Sequence, residues 1–427
     1  MHRARLVATV AFGTGLGLML AMATASTEAA ELKMSLDTRA GGDNSVVRRN
    51  RKSTPDGYFA LAPQVALRDK REELTYDLRY RPTYRAYMTI DGIDGVDHLA
   101  SAATDWRVTP ADTLGVDGRF RRQRRFRQLL VEDDTLPITD PDRFSVDEND
   151  RDIVQRAYAS AYYSHVFTPR LNGRISYRFD DVDFRREDQV DTRAHTASLN
   201  ASYVLGPKTT VGVVVTGRMR ANRGLESANE FGGDTLTGDV GFSVRRAISP
   251  TLSASIQAGP SFIESKVRAP RGSLAFPTPP SFPTSNQRTE STRSFFAVAT
   301  IDKSWRKSEF SAGYTRSESG GGGTASSSIV DRLNATFRHR ISEFLTARLR
   351  GEWNRREELK GVQGQDQKVE RYRVVASAEQ ALARRITLIA QFSYSHQERD
   401  NSSGARVKND FYRGFLSLRY LFDPIRF

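Results

Sequence analysis

Leu74 to Tyr87 reads LTYDLRYRPTYRAY, and the alternation in it decides the fold. Leu74, Tyr76, Leu78, Tyr80 and Tyr84 share one parity, while Thr75, Asp77, Arg79, Arg81 and Arg85 share the other. Successive side chains of an extended chain point to opposite faces, so this segment is a strand with one apolar and one charged face. RLNGRISYRF repeats the pattern with Leu171, Ile175, Tyr177 and Phe179 against Asn172, Arg174, Ser176 and Arg178. LTARLRGEWN repeats it again, with Leu345, Ala347, Leu349 and Trp353 against Thr346, Arg348, Arg350, Glu352 and Asn354.

A soluble sandwich also alternates, so the turns must separate the two cases. Short polar turns recur at Asp69-Lys70-Arg71, Pro110-Ala111-Asp112, Thr168-Pro169-Arg170, Gly206-Pro207-Lys208, Ser249-Pro250-Thr251, Arg306-Lys307-Ser308, Ser342-Glu343 and Arg384-Arg385. Pro169, Pro207 and Pro250 stand roughly 40 residues apart, room for two tall strands and a loop. Longer insertions fall at the opposite end. Tight turns at one end with variable loops at the other is the pattern of an outer-membrane barrel, and sandwich strands are shorter, at about 5 to 6 residues.

The spacing predicts strands at 31–40, 57–69, 72–88, 97–108, 112–128, 152–168, 170–186, 191–205, 208–220, 234–248, 251–265, 290–306, 308–317, 327–341, 344–357, 368–383, 386–399 and 407–422. The expected fold is all-β: a transmembrane antiparallel up-and-down β-barrel of about 18 strands, both termini periplasmic. The segment 31–40 is short enough to read also as a periplasmic tail.

Composition narrows the class. Of the 427 residues 38% are hydrophobic and 27% charged, and the mean hydropathy is −0.53, so a helical span of about 20 apolar residues is excluded from the mature chain. Residues 1–30 read as a secretory signal peptide: Arg3 and Arg5 precede an apolar run from Leu6 to Ala23, with cleavage after Ala25 or Ala30. Residues 31–422 then form the barrel and 423–427 a short tail. The chain has no cysteine, hence no lipid-attachment thiol and no disulfide framework. The net charge of +13 would suggest nucleic acid in a cytosolic protein, but export argues against that partner, and the arginines are dispersed along one face of a sheet instead of clustered.

The last strand, DFYRGFLSLRYLF, sets Leu416, Leu418, Tyr420 and Phe422 on one face and ends on an aromatic. It resembles the C-terminal signal that barrel-assembly machinery reads. Pro424 cannot donate to a ladder, which favours Phe422 over Phe427 as the terminal aromatic. Aromatics near strand ends, Tyr58, Phe59, Tyr84, Tyr87, Trp106, Phe167, Trp305, Phe344, Trp353 and Tyr420, are expected in two interfacial girdles facing outer-membrane lipid.

The expected pore-lining set is Arg79, Arg81, Arg85, Arg119, Arg121, Arg174, Arg178, Arg218, Arg220, Arg348 and Arg350. Two readings stand side by side: an electropositive path for an anionic solute, or wall-stiffening pairs with acids such as Asp77, Asp117 and Glu352. Glu132 to Asp152 forms an acidic loop, Val267 to Gln287 an irregular outer lid, and Gly320 to Gly323 a loop tip. His98, His165, His195, His339 and His396 each stand alone in a strand-like context, and neighbours such as Ser164 and His165 point to opposite faces. No nucleophile motif or metal spacing is present, so no enzyme activity, cofactor or metal is expected.

The N-terminal third resembles a family of β-barrel porins encoded alongside exopolysaccharide and capsule systems. The resemblance lies in SLDTRAGGDNSV with Asp43-Asn44, GYFALAPQVALR, LTYDLRYRPTYRAYM, and HLASAATDWRVTPADTLGVDGRF from His98 to Phe120. It implies an outer-membrane conduit for a secreted polysaccharide, acting with a periplasmic polysaccharide co-export protein and an inner-membrane polymerase; the excess of inward arginine leads us to expect an anionic polysaccharide. A general or anion-selective diffusion porin is the alternative, and an outer-membrane barrel enzyme the third class. The assembly reading predicts that Phe422→Ala lowers the yield of heat-modifiable barrel more than Phe427→Ala does. Normal assembly of the first with failure of the second would reverse the assignment.

Overall fold

The computed structural model describes residues 30–49, 52–90, 94–125, 152–185, 191–223, 232–268, 287–320, 327–358, 368–400 and 406–426. The signal peptide, the bulk of the acidic loop and of the outer lid, and most of the glycine tip lie outside them. The first strands are β1 (Glu31–Arg49), β2 (Lys52–Lys70), β3 (Leu74–Tyr87), β4 (Gly95–Arg107), β5 (Asp112–Arg125) and β6 (Asp152–Thr168). Then come β7 (Leu171–Phe184), β8 (Asp191–Gly206), β9 (Thr209–Arg223), β10 (Gly232–Ser249), β11 (Leu252–Arg268) and β12 (Gln287–Ser304). The rest are β13 (Ser308–Gly320), β14 (Ser327–Arg340), β15 (Leu345–Glu358), β16 (Lys368–Ala383), β17 (Ile386–Asp400), β18 (Arg406–Leu421) and the two-residue β19 (Ile425–Arg426).

Each long strand pairs antiparallel with its sequence neighbours, and β1 also pairs with β18 from Ser35↔Leu421 to Asp43↔Arg413. That last ladder closes the sheet into a barrel of eighteen long strands. Closure matters because a lipid-exposed sheet edge would leave N–H and C=O groups without partners, at several kcal/mol each. Beyond Phe422 the chain returns as β19, in which Ile425 and Arg426 pair with Leu32 and Glu31 of β1.

The first strand is a full wall element that runs nine residues past the sequence limit, and β2 begins five residues early. The extension, GGDNSVVRR, carries no alternation. It pairs through its backbone at the extracellular end, where no apolar face is required. The β2–β3 ladder is interrupted between Leu61↔Tyr84 and Val65↔Tyr80, the stretch that contains Pro63 and Pro82, neither of which can donate to a ladder.

The molecule is apolar outside and charged inside. Phe242 is 72% exposed, Ile175 58% and Leu416 58%, whereas Asp37, Arg220 and Asn334 are buried. A soluble protein would bury the first group and expose the second, so the solvent of the outer face is lipid. Phe59, Tyr84, Trp106, Phe167, Trp305 and Phe344 stand exposed on that face. Tyr58 and Tyr87 do not: Tyr58 is 1% exposed, and its parity, like that of Tyr87, is the inner one. Aromatic identity near a strand end does not fix the face; parity does.

Two inward clusters brace the seam. Asp37 on β1 ion-pairs Arg39 at 2.9 Å, approaches Arg81 of β3 at 3.6 Å and Arg419 of β18 at 3.7 Å, and accepts a hydrogen bond from Ser417. Above it, Tyr58 of β2 lies between the guanidinium groups of Arg85 and Arg413, whose Cζ atoms stand 5.6 Å and 5.1 Å from its ring centre, and Arg413 donates to its hydroxyl at 3.1 Å. Tyr58 reaches β18 only because β1 carries Gly41 beneath it. A Cβ there would lie 2.9 Å from the tyrosine oxygen and 2.4 Å from the Gly414 carbonyl. Asp37→Asn removes the one carboxylate facing three arginines, so it is expected to cost roughly 3 kcal/mol, read as a lower urea midpoint for barrel unfolding. An unchanged midpoint would show that the backbone ladder alone holds the seam.

Candidate functional site

The site is the lumen, and its wall is built by parity. On β3 the exposed Tyr80 and Tyr84 face out, so Arg79, Arg81 and Arg85 face in. On β5 the exposed Leu114 and Val116 face out, and Arg119 and Arg121 face in. The same logic turns Arg174 and Arg178 of β7, Arg218 and Arg220 of β9, and Arg348 and Arg350 of β15 inward, opposite the exposed Ile175, Tyr177, Val215, Met219 and Leu349. The structure therefore places all eleven arginines of the sequence-derived set on the inner face. It adds others from strands with the same alternation, among them Arg39, Arg68, Arg332, Arg371, Arg373, Arg413 and Arg419. The period-two signal in their strands was sufficient to find these.

Most of these arginines are engaged by the wall itself. Asp77 accepts from Arg79 and Arg68, each at 2.6 Å, and Glu352 takes Arg350 at 2.7 Å and approaches Arg373 at 3.9 Å. Asp180 accepts from Arg178 at 2.7 Å. On β6, Tyr158 has Arg119 over its ring at 5.6 Å and Arg178 at 4.8 Å, while Arg174 lies 3.6 Å from the centre of Tyr162. Such cation–π contacts are each worth about 0.5 to 2 kcal/mol. Tyr162 in turn donates to Asp105, and Asp117 accepts from Ser160. Tyr162 fits flat against the wall because position 115 is glycine: a Cβ there would overlap its ring.

Arg348 is different. It is exposed and, with Arg338 and Arg350, lines a cavity of about 600 Å³ at the periplasmic end, which also takes in Asp302 and Glu309. Glu309 approaches Arg338 at 3.6 Å, and among the described residues no carboxylate contacts Arg348.

The sequence suggests isolated histidines, and the structure corrects this: none of the five stands alone. Each faces outward and meets a side chain on an adjacent strand: His165 with Asp112 at 2.7 Å, His396 with Asp410 at 2.8 Å, His339 with Ser308 at 2.8 Å, His98 with Tyr80 at 2.9 Å and His195 with Tyr177 at 2.6 Å. These are diagonal or directly opposed cross-strand neighbours, which sequence separation hides. Among the described residues His339 has no carboxylate on its second nitrogen, so the pair with Ser308 lacks the orienting group of a hydrolase triad.

At the seam, Leu416, Leu418 and Tyr420 of β18 share the outward parity, and Phe422 packs edge-on against Tyr420 with ring centres 4.9 Å apart. Phe422 also donates its backbone N–H to Met34 of β1 at 3.1 Å, so the residues proposed as the assembly signal stand where the barrel closes.

No protein-family model matches the chain, and no curated protein matches it. Among solved structures it is similar to the open form of the ferric-catecholate import receptor Fiu from E. coli K12, at 9% identity and a TM-score of 0.48 over 91% of this chain and 81% of that one. It is similar also to OpdK from Pseudomonas aeruginosa with vanillate, at 11% identity and a TM-score of 0.44 over 93% and 99%. A third is OccAB4 from Acinetobacter baumannii, at 11% identity and 0.41 over 94% and 99%. At these values the likeness is one of general barrel form, and the assignment rests on the closed ladder and the inverted polarity described above. The protein is a β-barrel of the bacterial outer membrane.

Proposed function

We propose that this barrel is a channel whose arginine-rich inner wall carries anionic solutes across the outer membrane. The observation that supports the reading most strongly is the periplasmic cavity of about 600 Å³, where Arg348 stands exposed beside Arg338 and Arg350 and, among the described residues, no carboxylate contacts it. A cation in a low-dielectric mouth focuses field lines and raises the local concentration of anions, so entry is favoured before any specific contact is made. The arginines deeper in the wall are engaged by Asp77, Glu352, Asp180 and the tyrosines, and they hold the wall's shape. On this reading the mature chain begins after Ala25 or Ala30, residues 31–422 form the channel, and barrel-assembly machinery recognises Leu416, Leu418, Tyr420 and Phe422.

Export of an acidic exopolysaccharide, handed over by a periplasmic co-export protein, is the narrower form of the same proposal. Its support is the resemblance of the N-terminal third, and its chemistry, a polyanion in a basic lumen, agrees with the wall. Deletion in the native cell separates the two forms: loss of surface polysaccharide with small-solute uptake unchanged supports export, and the reverse supports a diffusion porin.

In a planar bilayer under a salt gradient, the reversal potential is expected to show anion preference. Arg348→Glu is expected to weaken it more than Arg79→Glu, because Arg79 is already paired with Asp77. Cation preference in the unmutated protein would overturn the proposal.

A further inference from the structure

The wall of the barrel is not one continuous layer. The β12–β13 ladder runs from Ser304↔Glu309 only as far as Ala297↔Arg316 and ends there among the described residues. Above that point β12 continues for ten residues, from Gln287 to Phe296, paired with β11 alone. β13 continues to Gly320, paired with β14 alone.

The two extensions part in opposite directions. Arg316 is still on the outer surface, with its guanidinium 4.6 Å from the ring centre of the exposed Phe295. Two residues on and of the same parity, Glu318 is inside the barrel: its carboxylate accepts from Arg220 of β9 at 2.6 Å and 3.3 Å and from Thr237 of β10 at 3.2 Å. Arg218 donates to the Glu318 carbonyl at 3.2 Å. β13 has therefore passed behind β12, and the described ends of β13 and β14, at Glu318 and Ser328, lie in the lumen against the inner face of β9–β12. The burial agrees: Thr235, Thr237, Ser261 and Ile263 on that face, Ser328 at the hairpin end and Glu318 itself are all withdrawn from solvent.

We propose that the upper ends of β13 and β14, Ser317 to Gly320 with Ser327 to Val330, are a gate, latched inward by Glu318 on Arg220, Arg218 and Thr237, and that they open by zipping back onto the edge that β12 leaves unpaired among the described residues. The inference rests on the channel reading and adds a moving part to it. Each state satisfies groups that the other leaves open. In the inward state a buried carboxylate is fully hydrogen-bonded, while the upper edge of β12 forgoes its ladder. In the outward state the register continues unbroken, with Phe296 opposite Ser317, Phe295 opposite Glu318, Ser294 opposite Ser319 and Arg293 opposite Gly320. Parity then places Glu318 on the outer face beside Phe295, two residues beyond Arg316, whose guanidinium already lies against the Phe295 ring. Such a bistable element needs only a change at the latch to shift its population. Phe296, which faces the lumen over Gly241, marks the hinge: a Cβ on residue 241 would lie 2.4 Å from its ring.

The test is made on the full chain in planar bilayers, with correct assembly verified by heat-modifiable mobility. Removing the charge in Glu318→Gln leaves two arginines facing a neutral amide, and the open probability is expected to rise about tenfold or more. The chain has no cysteine, so a Phe296→Cys, Ser317→Cys pair reports the outward register directly, since opposed cross-strand Cβ atoms approach to about 4.5 to 5.5 Å. That pair is expected to cross-link on oxidation, faster in the Glu318→Gln background, and to lock the channel in its high-conductance mode until reduced. The pair in the otherwise native chain gives the same readout should Glu318→Gln fail to assemble. An assembled Glu318→Gln with the parent's open probability, or a cysteine pair that cross-links in neither background, overturns the gate. A cation-selective current that still rises in Glu318→Gln overturns the anion reading of the wall and supports the gate.

Discussion

Everything in this barrel follows from one constraint: in lipid, a backbone N–H or C=O has no solvent to bond with. A sheet can satisfy that only by closing on itself, and here closure falls to the β1–β18 ladder between Ser35↔Leu421 and Asp43↔Arg413. Once the sheet is closed, alternation does the rest. Every apolar side chain of one parity is delivered to lipid, and every arginine, aspartate and glutamate of the other parity is delivered to a shared interior. That interior would be electrostatically costly if it held arginines alone. The acids and tyrosines on the same face, above all Asp37, Asp77, Glu352, Tyr58 and Tyr158, are what make so dense a wall of guanidinium groups tolerable.

The same interactions therefore serve two ends. Arg81 and Arg85 were singled out by their parity as part of a path through the barrel, and the structure finds them bracing the seam, on Asp37 and Tyr58. Arg220 belongs to the same face and holds the inward hairpin through Glu318. Structural and functional readings of the lumen differ by position. Where an acid or ring is within reach, an arginine stiffens the wall; at the periplasmic mouth, where among the described residues no carboxylate contacts Arg348, the proposed channel would present its charge to a solute. The departure of β12 from β13 gives up ladder hydrogen bonds at the extracellular end, where water can replace them.

The fold was legible in the sequence to an unusual degree, for a physical reason. The segment Leu74–Tyr87 states its two faces residue by residue, and the turns at Pro110, Pro169, Pro207 and Pro250 mark one rim, so eighteen strands followed with limits mostly within a few residues. Legibility failed wherever the lipid stopped imposing alternation. The upper half of β1, with Gly41 and Gly42, pairs through its backbone and reads as a loop. Tyr58 and Tyr87 read as girdle residues by type, though their parity turns them inward. The histidine contacts and the Glu318 latch join residues on different strands, 98 positions apart in the case of Arg220, and a strand of the composition SES gives no sign of which side of its neighbour it will pass. Cross-strand register and the path of a hairpin are tertiary facts.

The central claim is the inversion itself, apolar side out and arginine side in, on a closed sheet in the outer membrane. Because the chain contains no cysteine, single substitutions along β3 test it residue by residue with a water-soluble, membrane-impermeant thiol reagent on the assembled protein. The account predicts labelling at Arg79→Cys and Arg81→Cys and protection at Tyr80→Cys and Leu78→Cys. Labelling of the tyrosine parity with protection of the arginine parity, or no alternation at all, would contradict it.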